Sequence, residues 1–249
     1  MTAEVQRPFA TTFLRPLTRG GSRAQLLSFN DGIERVVKFP NNPQGLRVLP
    51  NELIAARLAN LLNVPIPNSG IVVVTPSFVN VEPALSGFQP GLCFGSEYHR
   101  AVDIAGPSEI SLASNVQQLA SIVVFDTWCN NTDRVNNRGN LILTSGIEER
   151  TILAIDHGHC FGFQWDENIK YAKIPAQIIW RDDFRPFLSI PQFRPFFELL
   201  LAVTEERLIR SIDEIPEEWQ VSDAEKIALV AYLFNRRQDV VDIIEHEFQ

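Results

Sequence analysis

Over roughly the first 95 residues, apolar positions come in short runs broken by turn-forming residues. Phe13–Leu17, Ala24–Phe29 and Arg35–Phe39 predict three strands joined by the turns RGGS and NDG. The second turn, Asn30–Gly32, has hairpin chemistry, because its residues tolerate positive φ. Pro40, Pro43 and Pro50 then mark a loop. Asn51 is placed to cap a helix through Leu62, with Ile54, Leu58, Leu61 and Leu62 on one face. VPIP at Val64–Pro67 stops that helix. Ile71–Val74 lacks alternation and predicts a strand buried on both faces, and a further strand is expected around Leu92–Tyr98.

From Ser114 the spacing turns helical. Ser114 and Gln117 have capping-box spacing ahead of Val116, Leu119, Ala120, Val123 and Val124. A polar loop follows, then two short strands, Leu141–Thr144 and Thr151–Ile155. Helices are expected over Pro195–Val203 and Glu205–Ile212, with a last one from Ser222, boxed by Glu225, to about Phe248. The pattern predicts an α+β chain of two lobes: a small β-rich lobe over about 1–95, a linker over about 96–113, and a larger, mainly helical lobe over about 114–249. Ligands favour the cleft between such lobes.

Composition narrows this reading. The 249 residues are 45% hydrophobic and 21% charged, as in an ordinary soluble protein. A net charge of −8 argues against a nucleic-acid surface, which needs clustered Lys and Arg. No apolar run is long enough to span a membrane, and the N-terminus lacks a secretion-signal pattern. Cys93, Cys129 and Cys160 form no CxxC pair, so they are expected to be small buried hydrophobes in a reducing cytoplasm.

The chemistry-bearing residues concentrate around the hairpin. Asp133 follows an apolar helix and opens a loop with Arg134, Asn136, Asn137, Arg138, Gly139 and Asn140; Asp156 ends the second strand. Two carboxylates and a carboxamide at a hairpin mouth suit phosphoryl transfer, which needs a carboxylate to orient a nucleophile and oxygen ligands for magnesium. Upstream stand a glycine turn with Gly20 and Gly21, a strand lysine, Lys38, and a helix glutamate, Glu52. Taken singly, these read as a hairpin turn, an edge-strand lysine and a dipole-complementing acid. Together they match a lysine held by a glutamate over nucleotide phosphates. His157 and His159 lack the spaced soft ligands that zinc prefers, so a hard cation is favoured. Trp128, Trp165, Trp180 and Trp219 are expected to serve in packing, and His99 and His246 to lie on the surface.

The segments GGSRAQLL, VVKFPNNPQGLRVLPNELIAARLANLLNVPIP, NNTDRVNNRGNLIL and AIDHGHCF resemble the HipA-like kinase family, in its compact branch. The resemblance implies a two-lobed protein-kinase-like fold that uses ATP and Mg²⁺. It implies that Gly20, Gly21 and Ser22 line the phosphate loop, that Lys38 binds phosphates and that Glu52 holds the lysine. Asp133 would be the catalytic base, and Asn140 and Asp156 the magnesium ligands. The family's asparagine usually falls five residues after the aspartate, where this chain has Arg138; a two-residue insertion brings Asn140 to the role, with Asn137 the other candidate. No long activation segment with an APE signature follows.

The expected function is ATP- and magnesium-dependent phosphotransfer to an alcohol, foremost a Ser or Thr hydroxyl of a protein partner. The alternatives are a small-alcohol kinase, a nucleotidyl transferase on the same fold, or a nucleotide-binding interaction module of low or no turnover.

Overall fold

The computed structural model describes residues 7–18, 20–104, 106–146, 149–173 and 177–249; Arg19 of the RGGS turn and part of the turn between the two hairpin strands lie outside them. Strands β1 (Ala10–Pro16), β2 (Gln25–Phe29), β3 (Glu34–Lys38), β4 (Ser69–Val74) and β5 (Gly91–Glu97) form an antiparallel sheet in the order β1-β2-β3-β5-β4. The NDG turn joins β2 to β3, with Gly32 at φ 79°. One face of this sheet packs as a core of its own from Leu27, Phe29, Val37, Phe39, Val72, Val74 and Cys93. Lys38 pairs with Phe94 of β5 in the ladder and, one residue on from Val37, faces the opposite side.

Helix α1 (Val48–Leu61) begins before Asn51. Pro50 sits in its first turn, where a missing N–H costs no helical bond. Asn51 is therefore not a cap; it is a buried residue within the helix, and its side chain serves other backbone. The apolar residues of α1 join the larger core rather than that of the sheet. β4 also differs from expectation: Val72 and Val74 are buried but Ile71 and Val73 only half-buried. β4 ends the strand order, with a single parallel bridge from Phe9 to Val73 on its outer side.

Short helices α2 (Pro76–Val81) and α3 (Pro107–Ile110) precede α4 (Leu119–Cys129), every residue of which is buried. Ser114 does not cap α4. Its hydroxyl donates to Arg150 O at 3.2 Å, while Asn115 clamps Ile152, so the polar pair ties down the start of the second hairpin strand. After α5 (Asp133–Asn136), strands β7 (Leu141–Thr144) and β8 (Ile152–Ala154) form the expected hairpin, and β6 (Ala101–Asp103) adds to it in the order β6-β7-β8. Helices α6 (Ile190–Leu201), α7 (Glu205–Ile212), α8 (Asp223–Asn235) and α9 (Arg237–Phe248) complete the chain. α6 starts ahead of Pro195, and the expected single last helix is two, broken at Arg236. The Ser222–Glu225 capping box is present.

Trp128, Trp165 and Trp219 are buried, as are all three cysteines. Among the described residues no helix is long and apolar enough to cross a membrane.

Candidate active site

A cavity of about 720 Å³ lies between the sheet face carrying Lys38 and the β6–β8 sheet. Gly20, Ser22, Val36, Lys38 and Glu52 line one side; Asn137, Asn140, Ile142, Asp156 and His157 line the other. Residues 96–99, at the end of β5 and on toward β6, also line it. Gly21 and Asp133 do not line it. A Cβ on Gly21 would stand 3.1 Å from Gln44 Nε2, so glycine lets the turn lie against that side chain. Asp133 Oδ2 accepts from Asn140 Nδ2 at 2.6 Å.

Lys38 is 6% exposed, not the surface lysine that its strand position alone would give. Its ammonium is held by Glu52 Oε1 and by Asp156 Oδ1, the latter at 2.7 Å. Burial disfavours the charge on Lys38, yet the carboxylates of Asp156 and Glu52 together outweigh it and raise its pKa. Burial likewise pushes Asp156 upward, but Lys38 dominates and holds its pKa at about 2. Glu52 is raised by burial, with Lys38 opposing. One ammonium shared by two carboxylates leaves the cluster net negative. Such a place favours a further cation more than a bare anion.

The hairpin brings its polar ends to the cleft because a second charged cluster fixes them. Asp126, buried in α4, accepts from Asn131 Nδ2 at 2.9 Å and Arg134 Nε at 2.5 Å. The Arg134 guanidinium then donates to Asn140 O, and to Ile155 O at 3.1 Å. One side chain thus joins the residue before β7 to the residue before Asp156. The sequence reading did not assign Asp126, Asn131 or Arg134. The signal was present: an aspartate inside an otherwise apolar helix needs a buried partner.

The loop sorts its asparagines. Asn140 is 3% exposed, and with Nδ2 turned to Asp133 its Oδ1 is the end left for other contacts. The Oδ1 of Asn137 instead accepts from Gly139 N at 3.2 Å. The Arg138 guanidinium, 61% exposed, lies 3.7 Å from Asp183. Asp156 itself has φ 58°, a left-handed backbone that non-glycine residues adopt at a cost. His157 is buried with its ring edge against Phe125, its backbone N–H donates to Glu52 Oε2 at 3.1 Å, and burial holds its imidazole neutral.

A small antiparallel sheet with a lysine–glutamate pair, set over a hairpin with acids and amides at its mouth, defines a protein-kinase-like molecule. The family model for HipA-like kinases matches residues 11–248, so the chain belongs to the HipA-like kinase family. That membership makes it a kinase-type phosphotransferase. Among solved structures it is similar to the Helicobacter pylori proinflammatory kinase CtkA, with 16% identity, a TM-score of 0.58, and 94% of this chain and 93% of that one covered. It is also similar to the Golgi casein kinase, with 12% identity, a TM-score of 0.50, and 100% and 76% covered. At these identities the likeness is one of fold. A search of curated proteins gives no significant match.

Proposed function

We propose that this chain is an ATP- and magnesium-dependent phosphotransferase that phosphorylates a Ser or Thr hydroxyl of a protein partner. The observation that carries the reading is the buried Lys38 ammonium, held between Glu52 and Asp156 at the wall of the cavity. In this reading Lys38 binds phosphate oxygens while Glu52 fixes its position. Gly20, Gly21 and Ser22 form the turn that covers the phosphates. Asp133 orients the acceptor hydroxyl and takes its proton.

The donor set suits Mg²⁺. The Asp156 carboxylate and the Asn140 carboxamide oxygen are hard ligands, and magnesium takes one or two such groups together with phosphates and water. When bound, the ion supplies charge neutralisation for the transferred phosphoryl group. The division near residue 95 belongs to the same proposal, with nucleotide between the lobes.

Asp133→Ala tests the reading. Transfer of labelled γ-phosphate to a protein acceptor from lysate, and to the enzyme itself, is expected to fall by at least about a hundredfold, with nucleotide binding retained. Unchanged transfer would remove Asp133 from the role. Mass analysis of the modified partner separates phosphate from a nucleotidyl adduct.

A further inference from the structure

Asn51 stands next to Glu52 on α1, is fully buried, and does not line the cavity. Its Nδ2 donates to the carbonyls of Gly158, Cys160 and Phe163 at 2.8, 3.1 and 3.0 Å. Its Oδ1 accepts from Trp165 Nε1 at 2.7 Å. A single carboxamide therefore uses both ends on the stretch that follows Asp156.

That stretch needs holding. Asp156, Phe161 and Phe163 all have positive φ, at 58°, 60° and 74°, and Gly162 has φ 76°. Left-handed backbone at non-glycine residues persists only where its surroundings enforce it. None of 157–165 lies in a strand, so no ladder supplies that enforcement. The stretch also lies close on α1: a Cβ on Gly158 would come 3.1 Å from Val48 Cγ1 and 3.5 Å from Glu52 Oε1.

We infer that Asn51 is a positioning residue for phosphotransfer: it latches the chain after Asp156 to α1 and so keeps the Asp156 carboxylate turned toward Lys38 and the cleft. The inference rests on the reading of Asp156 as the magnesium ligand. Neighbouring residues on a helix point about 100° apart. Glu52 grips Lys38 and the His157 N–H, and Asn51 grips the carbonyls beyond. One segment of α1 thereby sets both the phosphate-binding lysine and the backbone that carries the metal ligand. A leucine would fill the same space but leave the carbonyls of Gly158 and Phe163 and an indole N–H without these partners, and Cys160 O with only the Phe163 N–H, which explains a polar residue on this buried helix face.

The test compares wild type with Asn51→Asp, which keeps the size and the acceptor for Trp165 but loses the donor to the three carbonyls. Two readouts are taken: amide hydrogen exchange over 157–165, and nucleotide affinity with and without magnesium. Exchange in that segment is expected to rise at least tenfold with β2 and β3 unchanged. The affinity gained from magnesium should fall by about tenfold or more, and affinity without magnesium should stay the same. Trp165→Phe, which keeps a ring in the core and beneath Arg47 but removes the N–H that orients Oδ1, should move both readouts the same way by less. It decides the matter alone if Asn51→Asp does not fold. Unchanged exchange, or raised exchange with the full magnesium gain, overturns the inference. A wild type with no magnesium gain overturns the reading of Asp156 beneath it, a failure told apart because it appears before any substitution is made.

Discussion

Lys38 and Arg134 are both buried cations bound to buried carboxylates, yet they end differently. Arg134 is sealed: its side chain is 2% exposed, its carboxylate Asp126 is equally enclosed, and its remaining bonds go to backbone carbonyls of the hairpin. Lys38 stands at a cavity wall, shares its charge between two acids, and one of these, Asp156, is 31% exposed at its side chain. The sealed cluster is matched in charge, one guanidinium to one carboxylate. The open one carries an excess negative charge. Matching fixes geometry, and the mismatch leaves something for a ligand to complete. In this molecule the first kind of cluster holds the second in place, because Arg134 ties the carbonyls beside Asn140 and Asp156.

The largest effect expected from breaking the open cluster is on chemistry. Lys38→Met should lower phosphotransfer by about a thousandfold in a steady-state assay. It should also cost stability, because Glu52 would be left buried, and Asp156 half-buried, without their cation. A partly exposed pair would have contributed little, but at 7% and 4% side-chain exposure the Lys38–Glu52 pair is not of that kind. A melting temperature within a degree or two of wild type would show that water enters to replace the ammonium.

Breaking the sealed cluster should reverse the weighting. Arg134→Met is expected to destabilise by about 3–5 kcal/mol in chemical denaturation, since it strands Asp126 in the interior. Activity should fall as a consequence, through loss of the hairpin's alignment. The double change Asp126→Leu with Arg134→Met should recover much of the stability without recovering activity. If it recovered both, the hairpin would not depend on Arg134, and the contrast between the two clusters would fail.

The same contrast marks what was legible in the sequence. β1 to β5, α4, the hairpin and the last capping signal were readable because each rests on local rules: apolar runs, turn residues, a Ser-to-Glu box; β6, three residues in the expected linker, was not. The residues of the open cluster were legible because Lys38, Glu52 and Asp156 stand in motif order. The sealed cluster was not, although Asp126 is the odd residue in IVVFDTWC, because a partner eight residues away across a loop leaves no periodic trace. Asn51 and Ser114 were misread for one reason. Each has cap-like chemistry near a helix start, and each spends its polar group on distant backbone instead. Helix capping is a local preference of about 1 kcal/mol, and tertiary bonds can claim the same side chain.

The smallest effects concern the loop itself, where Asn137 and Asn140 compete for the metal role. Asn140 is fixed from three sides: its side chain on Asp133, its carbonyl on Arg134, and β7 beginning at the next residue. Little further order is needed for Oδ1 to meet an ion beside Asp156. Asn137 is committed to the Gly139 N–H and would have to give up that turn and reorder. Arg138, held toward Asp183 and largely in solvent, stands away from both tasks. Asn140→Ala is therefore expected to lower phosphotransfer by about a hundredfold and to raise the magnesium concentration giving half-maximal rate. Asn137→Ala should change the rate by about twofold, as a surface substitution does, and leave the magnesium requirement as it was. The magnesium dependence of the initial rate distinguishes them. If the Asn137 variant shifted that dependence and the Asn140 variant did not, the insertion in this loop would lie on the other side of Arg138, and Asn140 would serve only to hold Asp133.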